Sequence, residues 1–228
     1  MKASKKTNSP QVIDADDSVA YPFNEAELLR KSMSDLDTLL VGRENETQAL
    51  TYCLATGHHL LLEGEPGAAK SMFAREAFNR VNSAKVFSRQ FMKGTQLDEI
   101  FGPMNSEKYR KDAVWEYNTK GMLPDCELAF LDEVYRGSDS ALPSMLQILN
   151  ERTFNNGAVL MRCPLHTAIG TTNYVTDTDE LKAFHDRWLI RMKVRPLENT
   201  KSKVRMLRQF ISPPETDGRT IGLDALRK

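Results

Sequence analysis

Lys70 and Ser71 close a short stretch, Gly64-Glu65-Pro66-Gly67-Ala68-Ala69, that follows the apolar run Leu60–Leu62. A glycine-containing turn between a strand and a helix can wrap its backbone N–H groups around a phosphate, and the positive end of the helix then points at the anion. In such a loop Lys70 would reach the β- and γ-phosphates, and Ser71 would place its hydroxyl on Mg²⁺. Gly64 and Gly67 let the chain turn without a Cβ in the way. Ala69 stands where the strict G-x-x-x-x-G-K-[ST] pattern has its last glycine. Alanine is at ease in helical geometry, so the loop is expected to form around it. An ordinary Gly/Pro turn with Lys70 on the surface is the plainer alternative.

Two further segments end in polar groups of the right kind. Cys126-Glu127-Leu128-Ala129-Phe130-Leu131-Asp132-Glu133 is an apolar strand finishing in two carboxylates. Open α/β sheets bind ligands outside the carboxyl ends of their strands. Neighbouring side chains on an extended chain point apart, so the pair divides its tasks: Asp132 suits holding magnesium through water, and Glu133 suits orienting or deprotonating an attacking water. A capping or surface acidic pair is the alternative. His166 to Asn173 is a third such strand, and the Asn173 amide at its tip could bond both a γ-phosphate and the water; Asn also simply starts turns.

These groups need a scaffold that brings strand ends together. Helical spacing is seen from Asn24, a good cap, through Leu40, again over Glu44–Ala55, and over Met72–Val81. Strands are expected at 58–63, 86–92, 128–131, 167–172 and 188–194, and helices at 94–101, 142–149, 181–184 and 200–211. Gly102–Leu123 suits a hairpin excursion, and Thr153–Val159 a hairpin turning at Asn155-Asn156-Gly157. Alternating strands and helices predict an α/β fold with a parallel sheet covered on both faces. Residues 1–20 are polar and aperiodic and are expected to be a disordered tail, with 21–212 as the domain and 213–228 as a short polar tail.

Bulk composition removes whole classes. Thirty-one basic against thirty-one acidic residues argue against a protein that grips nucleic acid or anionic lipid by charge alone. No apolar run approaches a bilayer span, and nothing resembles a secretory signal. Cys53, Cys126 and Cys163 are widely spaced, without a CxxC or Cys/His pairing, and suit a cytoplasmic protein rather than a disulfide or zinc frame.

Taken in order, the segments resemble the MoxR family of AAA+ ATPases, most like its RavA-type members, from about Leu40 to Leu197. The resemblance rests on Gly64–Ser71, Phe101-Gly102-Pro103, Gly121-Met122-Leu123-Pro124, Phe130-Leu131-Asp132-Glu133, Asn150–Gly157, Thr172-Asn173 and Asp186-Arg187-Trp188-Leu189-Ile190-Arg191. It implies a P-loop NTPase fold, a three-layer αβα sandwich with a central mostly parallel sheet and hairpin insertions. It also implies an ATP- and Mg²⁺-dependent homo-oligomer, usually a hexameric ring with the nucleotide at each subunit boundary. In that pattern Arg187 matches the arginine finger given to the neighbouring γ-phosphate, with Arg191 as second choice. Val41-Gly42 matches the adenine pocket, and Glu151-Arg152 the subunit interface. The insertions around Lys108–Lys120 and Thr153–Val159, bearing Tyr109, Trp115, Tyr117 and Phe154, match parts that face the ring axis or a partner, or else pack locally. Family members continue into a helical lid, whereas here one helix, 200–211, precedes Pro213-Pro214. Adenosine is therefore expected to be held less completely and turnover to be low.

The expected function is an oligomeric chaperone or remodelling ATPase acting on a protein partner, in this family often one with a von Willebrand factor A domain. A nucleotide-gated assembly module with negligible turnover is the non-enzymatic alternative. A DNA-acting motor is disfavoured by the zero net charge and by the lack of a basic cluster interleaved with aromatics.

Overall fold

The structure is a computed structural model that describes residues 23–137, 141–173, 182, 184–216 and 218–227. The expected tail at 1–20 and residues 181 and 183 of the expected 181–184 helix lie outside the described residues. Two helices open the fold, α1 (Phe23–Leu39) and α2 (Glu44–Thr56), and Gly57 ends the second at φ 67°. Helix α1 starts one residue before Asn24, so that residue lies inside the first turn and is not its cap. Then follow β1 (Leu60–Glu63), α3 (Lys70–Phe78), β2 (Val81–Asn82), β3 (Val86–Gln90), α4 (Asp98–Phe101) and α5 (Ser106–Asp112). The chain continues through β4 (Leu128–Asp132), α6 (Leu142–Glu151), β5 (Thr153–Asn156), β6 (Val159–Arg162), β7 (Thr167–Thr172) and β8 (Ile190–Lys193). It ends with the Thr200–Ile211 helix, β9 (Ile221–Gly222) and a turn of helix at Leu223–Leu226.

Five strands form a parallel sheet in the order β3-β4-β7-β1-β8. Successive strand residues point to opposite faces, and each face has its own core. Leu60, Leu62, Leu128, Phe130 and Ile169 pack under α1, α2 and α3. Leu61, Ala129, Leu131 and Ala168 pack with α4, α6, Phe184 and Trp188. Both faces are thus covered, which is why these strands read as continuous apolar runs. Gly170 sits mid-sheet because a Cβ there would stand 2.6 Å from the indole of Trp188. Gly170→Ala is expected to destabilise the fold by about 1–3 kcal/mol through overpacking, measurable by urea denaturation.

Three local expectations are corrected. The 102–123 excursion carries helix α5 above a single antiparallel bridge, Met104 to Tyr117, and is not a hairpin. The Asn105 side chain accepts from the Lys108 amide and starts that helix, an N-cap. Helix α3 stops at Phe78, and Val81 belongs to β2. Finally, the stretch beyond Pro214 does not run free: Ile221 pairs in parallel with Val81, and Ile221, Leu223 and Leu226 are buried against the core. The hairpin at 153–162 forms as expected but turns one step later, at Gly157-Ala158.

Candidate nucleotide site

Strands β4, β7 and β1 lie side by side, and their carboxyl ends carry Asp132, Asn173 and the loop before α3. Lys70 is buried there. Its Nζ donates to the carbonyls of Gly64 (2.6 Å) and Glu65 (3.0 Å) and to Oδ1 of Asn173 (3.0 Å). Burial pushes the Lys70 amine below its ordinary value, while the carboxylates of Glu133 and then Asp132 pull it back up. One residue on, Ser71 Oγ donates to Asp132 Oδ2 (3.2 Å). The loop therefore meets both neighbouring strand tips through consecutive side chains.

The loop's backbone suits an anion. Among the described residues, the amides of Gly67, Ala69, Lys70 and Ser71 make no hydrogen bond to another backbone group. These are the donors that a helix start leaves over and that a phosphate can take up. Gly67 has φ 81° and nothing within 4 Å of a would-be Cβ, whereas a Cβ on Gly64 would press to 2.3 Å from the Val194 carbonyl. Glu65 and Pro66 are exposed, and Glu65 contributes its carbonyl alone to Lys70. Ala69 corrects the expectation of helical geometry: it lies at φ 61°, in the left-handed region. That conformation costs a non-glycine residue about 1–2 kcal/mol, and the loop holds it regardless.

Asp132 and Glu133 have different hydrogen-bond and ion-pair partners. Asp132 Oδ1 accepts from Thr171 Oγ1, and the same hydroxyl accepts from the Glu133 amide (3.0 Å). Glu133 turns at φ 54° into a short 3₁₀ turn, Val134–Arg136, and its Oε2 lies 3.4 Å from Arg136 Nε. Thr171 was missed by sequence reading; the signal available was a hydroxyl near the tip of a strand that is buried throughout.

Val41 lies on the other side of the loop. With Gly67, Ala68, Ala69, Met72 and Leu197 it lines a cavity of about 400 Å³. Gly42, at φ 72°, abuts Leu197, whose Cδ2 would be 2.5 Å from an added Cβ. Arg43, also missed, is buried; its guanidinium donates to the carbonyls of Gly42 (3.0 Å), Ala68 (3.0 Å) and Arg195 (3.1 Å). It pairs with Glu46 at 3.6 Å, so one cation ties the loop to α2 and to the end of β8. Leu197 and Met206 of the cavity wall were missed too, since apolar residues carry no motif.

Arg187 is exposed on a turn before β8. The Asp186 carboxylate lies 3.8 Å from Arg191, not against Arg187. Arg152, expected at a subunit interface, is turned into its own chain: it donates to the carbonyls of Gly57 (2.8 Å) and Leu149 from a residue at φ 56°. Phe154 and Tyr117 pack with Phe101, Phe154 stacking on it at 4.9 Å, while Tyr109 and Trp115 form an exposed edge-to-face pair at 5.8 Å.

Residues 27–211 match the sequence model of the MoxR domain found in the MoxR-vWA-beta-propeller ternary systems. The chain belongs to this MoxR family. An uncharacterized protein of Methanocaldococcus jannaschii is 35% identical over 202 residues, covering 88% of this chain and 52% of the relative. Chaperone MoxR1 of Mycobacterium tuberculosis is 22% identical over 195 residues, covering 84% of this chain and 50% of that protein. The chain thus spans about half the length of the curated relatives it matches. The solved structure of a candidate ATPase from Cytophaga hutchinsonii superposes with a TM-score of 0.67 at 17% identity, over 90% of this chain and 62% of that one. The architecture of this MoxR domain is the α/β P-loop fold of AAA+ proteins.

Proposed function

We propose that this MoxR domain binds and hydrolyses ATP as a homo-oligomer and uses the cycle to remodel a protein partner. The observation that carries this reading is the meeting of Lys70 with Asn173 and of Ser71 with Asp132, through two side-chain hydrogen bonds at the carboxyl ends of the central strands. The amides of Gly67, Ala69, Lys70 and Ser71 and the Lys70 ammonium would hold the β- and γ-phosphates. Ser71 and Asp132 have the oxygen chemistry that Mg²⁺ prefers, and the ion would neutralise phosphate charge there. The cavity lined by Val41 and Leu197, with Gly42 abutting Leu197, would take the adenine. Glu133 would orient a water and accept its proton, Asn173 would hold the γ-phosphate, and Arg187 of a neighbouring copy would stabilise the charge developing on the transferred phosphoryl. A partner with a von Willebrand factor A domain is favoured by the ternary systems in which this family's domain is described. The three cysteines are free and buried, and burial pushes Cys53 and Cys126 up to about 12, which leaves them unreactive thiols.

Titration with ATP and Mg²⁺ tests the reading. Lys70→Ala removes a charged donor, and its affinity for ATP is expected to fall on the order of 100-fold. Equal affinity for the wild type and Lys70→Ala would sink the site. Light scattering should show the mass rising to a multiple of 25.8 kDa with ATP and Mg²⁺. Assembly without phosphate release would favour the nucleotide-gated module instead.

A further inference from the structure

The acidic turn after β4 is joined to the turn that carries Arg187. Tyr135 OH and His185 Nδ1 are hydrogen-bonded at 2.7 Å. Tyr135 is the second residue after Glu133, and His185 the second before Arg187. The contact extends beyond one bond. The Tyr135 ring meets Phe184 edge-to-face at 5.7 Å, and Phe184 meets Trp188 in the same way at 5.9 Å. Backbone bonds from Arg187 N to Phe184 O (3.3 Å) and from Trp188 N to His185 O (3.1 Å) close the turn. Trp188 in turn lies on Gly170 of β7, three residues before Asn173. Arg187 is therefore an exposed residue between inward anchors, one on the Glu133 turn and one on the strand that ends near Asn173.

We propose that Tyr135 and His185 are positioning residues that fix where Arg187 projects, so that the acidic turn of one copy sets the arginine offered to the next. This rests on the role of Arg187 given above. The physical case is that a hydrogen bond between two turns, backed by packed rings, transmits displacement, because packed elements do not deform continuously. Glu133 is in a left-handed conformation at the start of its turn, so a change in its rotamer or backbone bears directly on Tyr135. Misplacing a group that acts on the transition state costs rate with little cost in ground-state binding.

The test compares steady-state phosphate release and ATP affinity for Tyr135→Phe, His185→Ala and His185→Asn, each alone and with Arg187→Ala. Tyr135→Phe and His185→Ala are expected to lower kcat about tenfold with unchanged ATP affinity. His185→Asn keeps an acceptor close to the position of Nδ1 and should recover most of what His185→Ala loses. In the Arg187→Ala background neither change should lower the residual rate further, because the residue they position is gone. A full kcat in Tyr135→Phe, or an equal loss with and without Arg187, overturns the proposal. If wild type hydrolyses ATP and Arg187→Ala abolishes this, those outcomes sink the Tyr135–His185 link alone. A wild type without turnover sinks the reading of Arg187 and this link with it. Thermal unfolding of each variant near wild type separates positioning from loss of fold.

Discussion

Arg187→Ala will abolish ATP turnover while leaving the folded chain and its ATP affinity intact. Removing an arginine that meets the transferred phosphoryl typically costs about 10³–10⁵ in rate. The side chain is exposed, so its truncation should change stability by no more than about 0.5 kcal/mol. Under the proposal the finger would belong to a neighbouring copy, so wild-type activity per chain should also climb with protein concentration, which an isolated site would not do. Phosphate release measured across a concentration series decides the matter. A constant rate per chain, or a mutant as active as wild type, would show that Arg187 acts in no other copy. Arg191→Ala is the control: its guanidinium lies near Asp186, and a much smaller loss is expected.

Glu133→Gln will separate binding from hydrolysis. Glutamine keeps the size of the side chain but cannot take a proton, and losing a positioned general base costs about 10²–10⁴ in rate. The pairing with Arg136 is long and partly solvated, so its loss should scarcely affect stability. The Thr171 bond to the Glu133 amide is a backbone contact and survives the change. ATP affinity should therefore stay within about twofold of wild type, since the variant keeps every hydrogen-bond partner of Lys70. Unchanged phosphate release would assign the base elsewhere, whereas a large fall in affinity would make Glu133 a binding group.

The two results bear on different parts of one arrangement. In the proposed assembly Glu133 would act in its own copy's site and Arg187 in the next copy's, and the Tyr135–His185 contact joins the turns that carry them within one chain.

The legible parts of this protein were those written in consecutive residues. Leu60–Leu62, Leu128–Leu131 and 167–172 read as buried strands because a parallel sheet covered on both faces leaves no polar side to alternate. The loop at Gly64–Ser71 and the acidic pair read from spacing, since each lies within one turn of chain. Ring stacking at Phe154, the left-handed Ala69 and the inward turn of Arg152 were not legible. Each depends on neighbours that sequence distance does not reveal: Phe101, the closure of the Gly64–Ser71 loop, and the Gly57 carbonyl.

By itself, then, the sequence determined the α/β class, the strand-end positions of Asp132 and Asn173, the place of Lys70 where the loop after β1 enters a helix, and the family. Only the tertiary structure decided that Thr171 and Arg43 brace those groups, that Leu197 closes the cavity beside Val41, and that Ile221 returns to pair with Val81. The reason is physical. Local spacing sets which backbone conformation is cheap, but burial of a polar or apolar side chain is settled by whichever distant segment comes to lie against it.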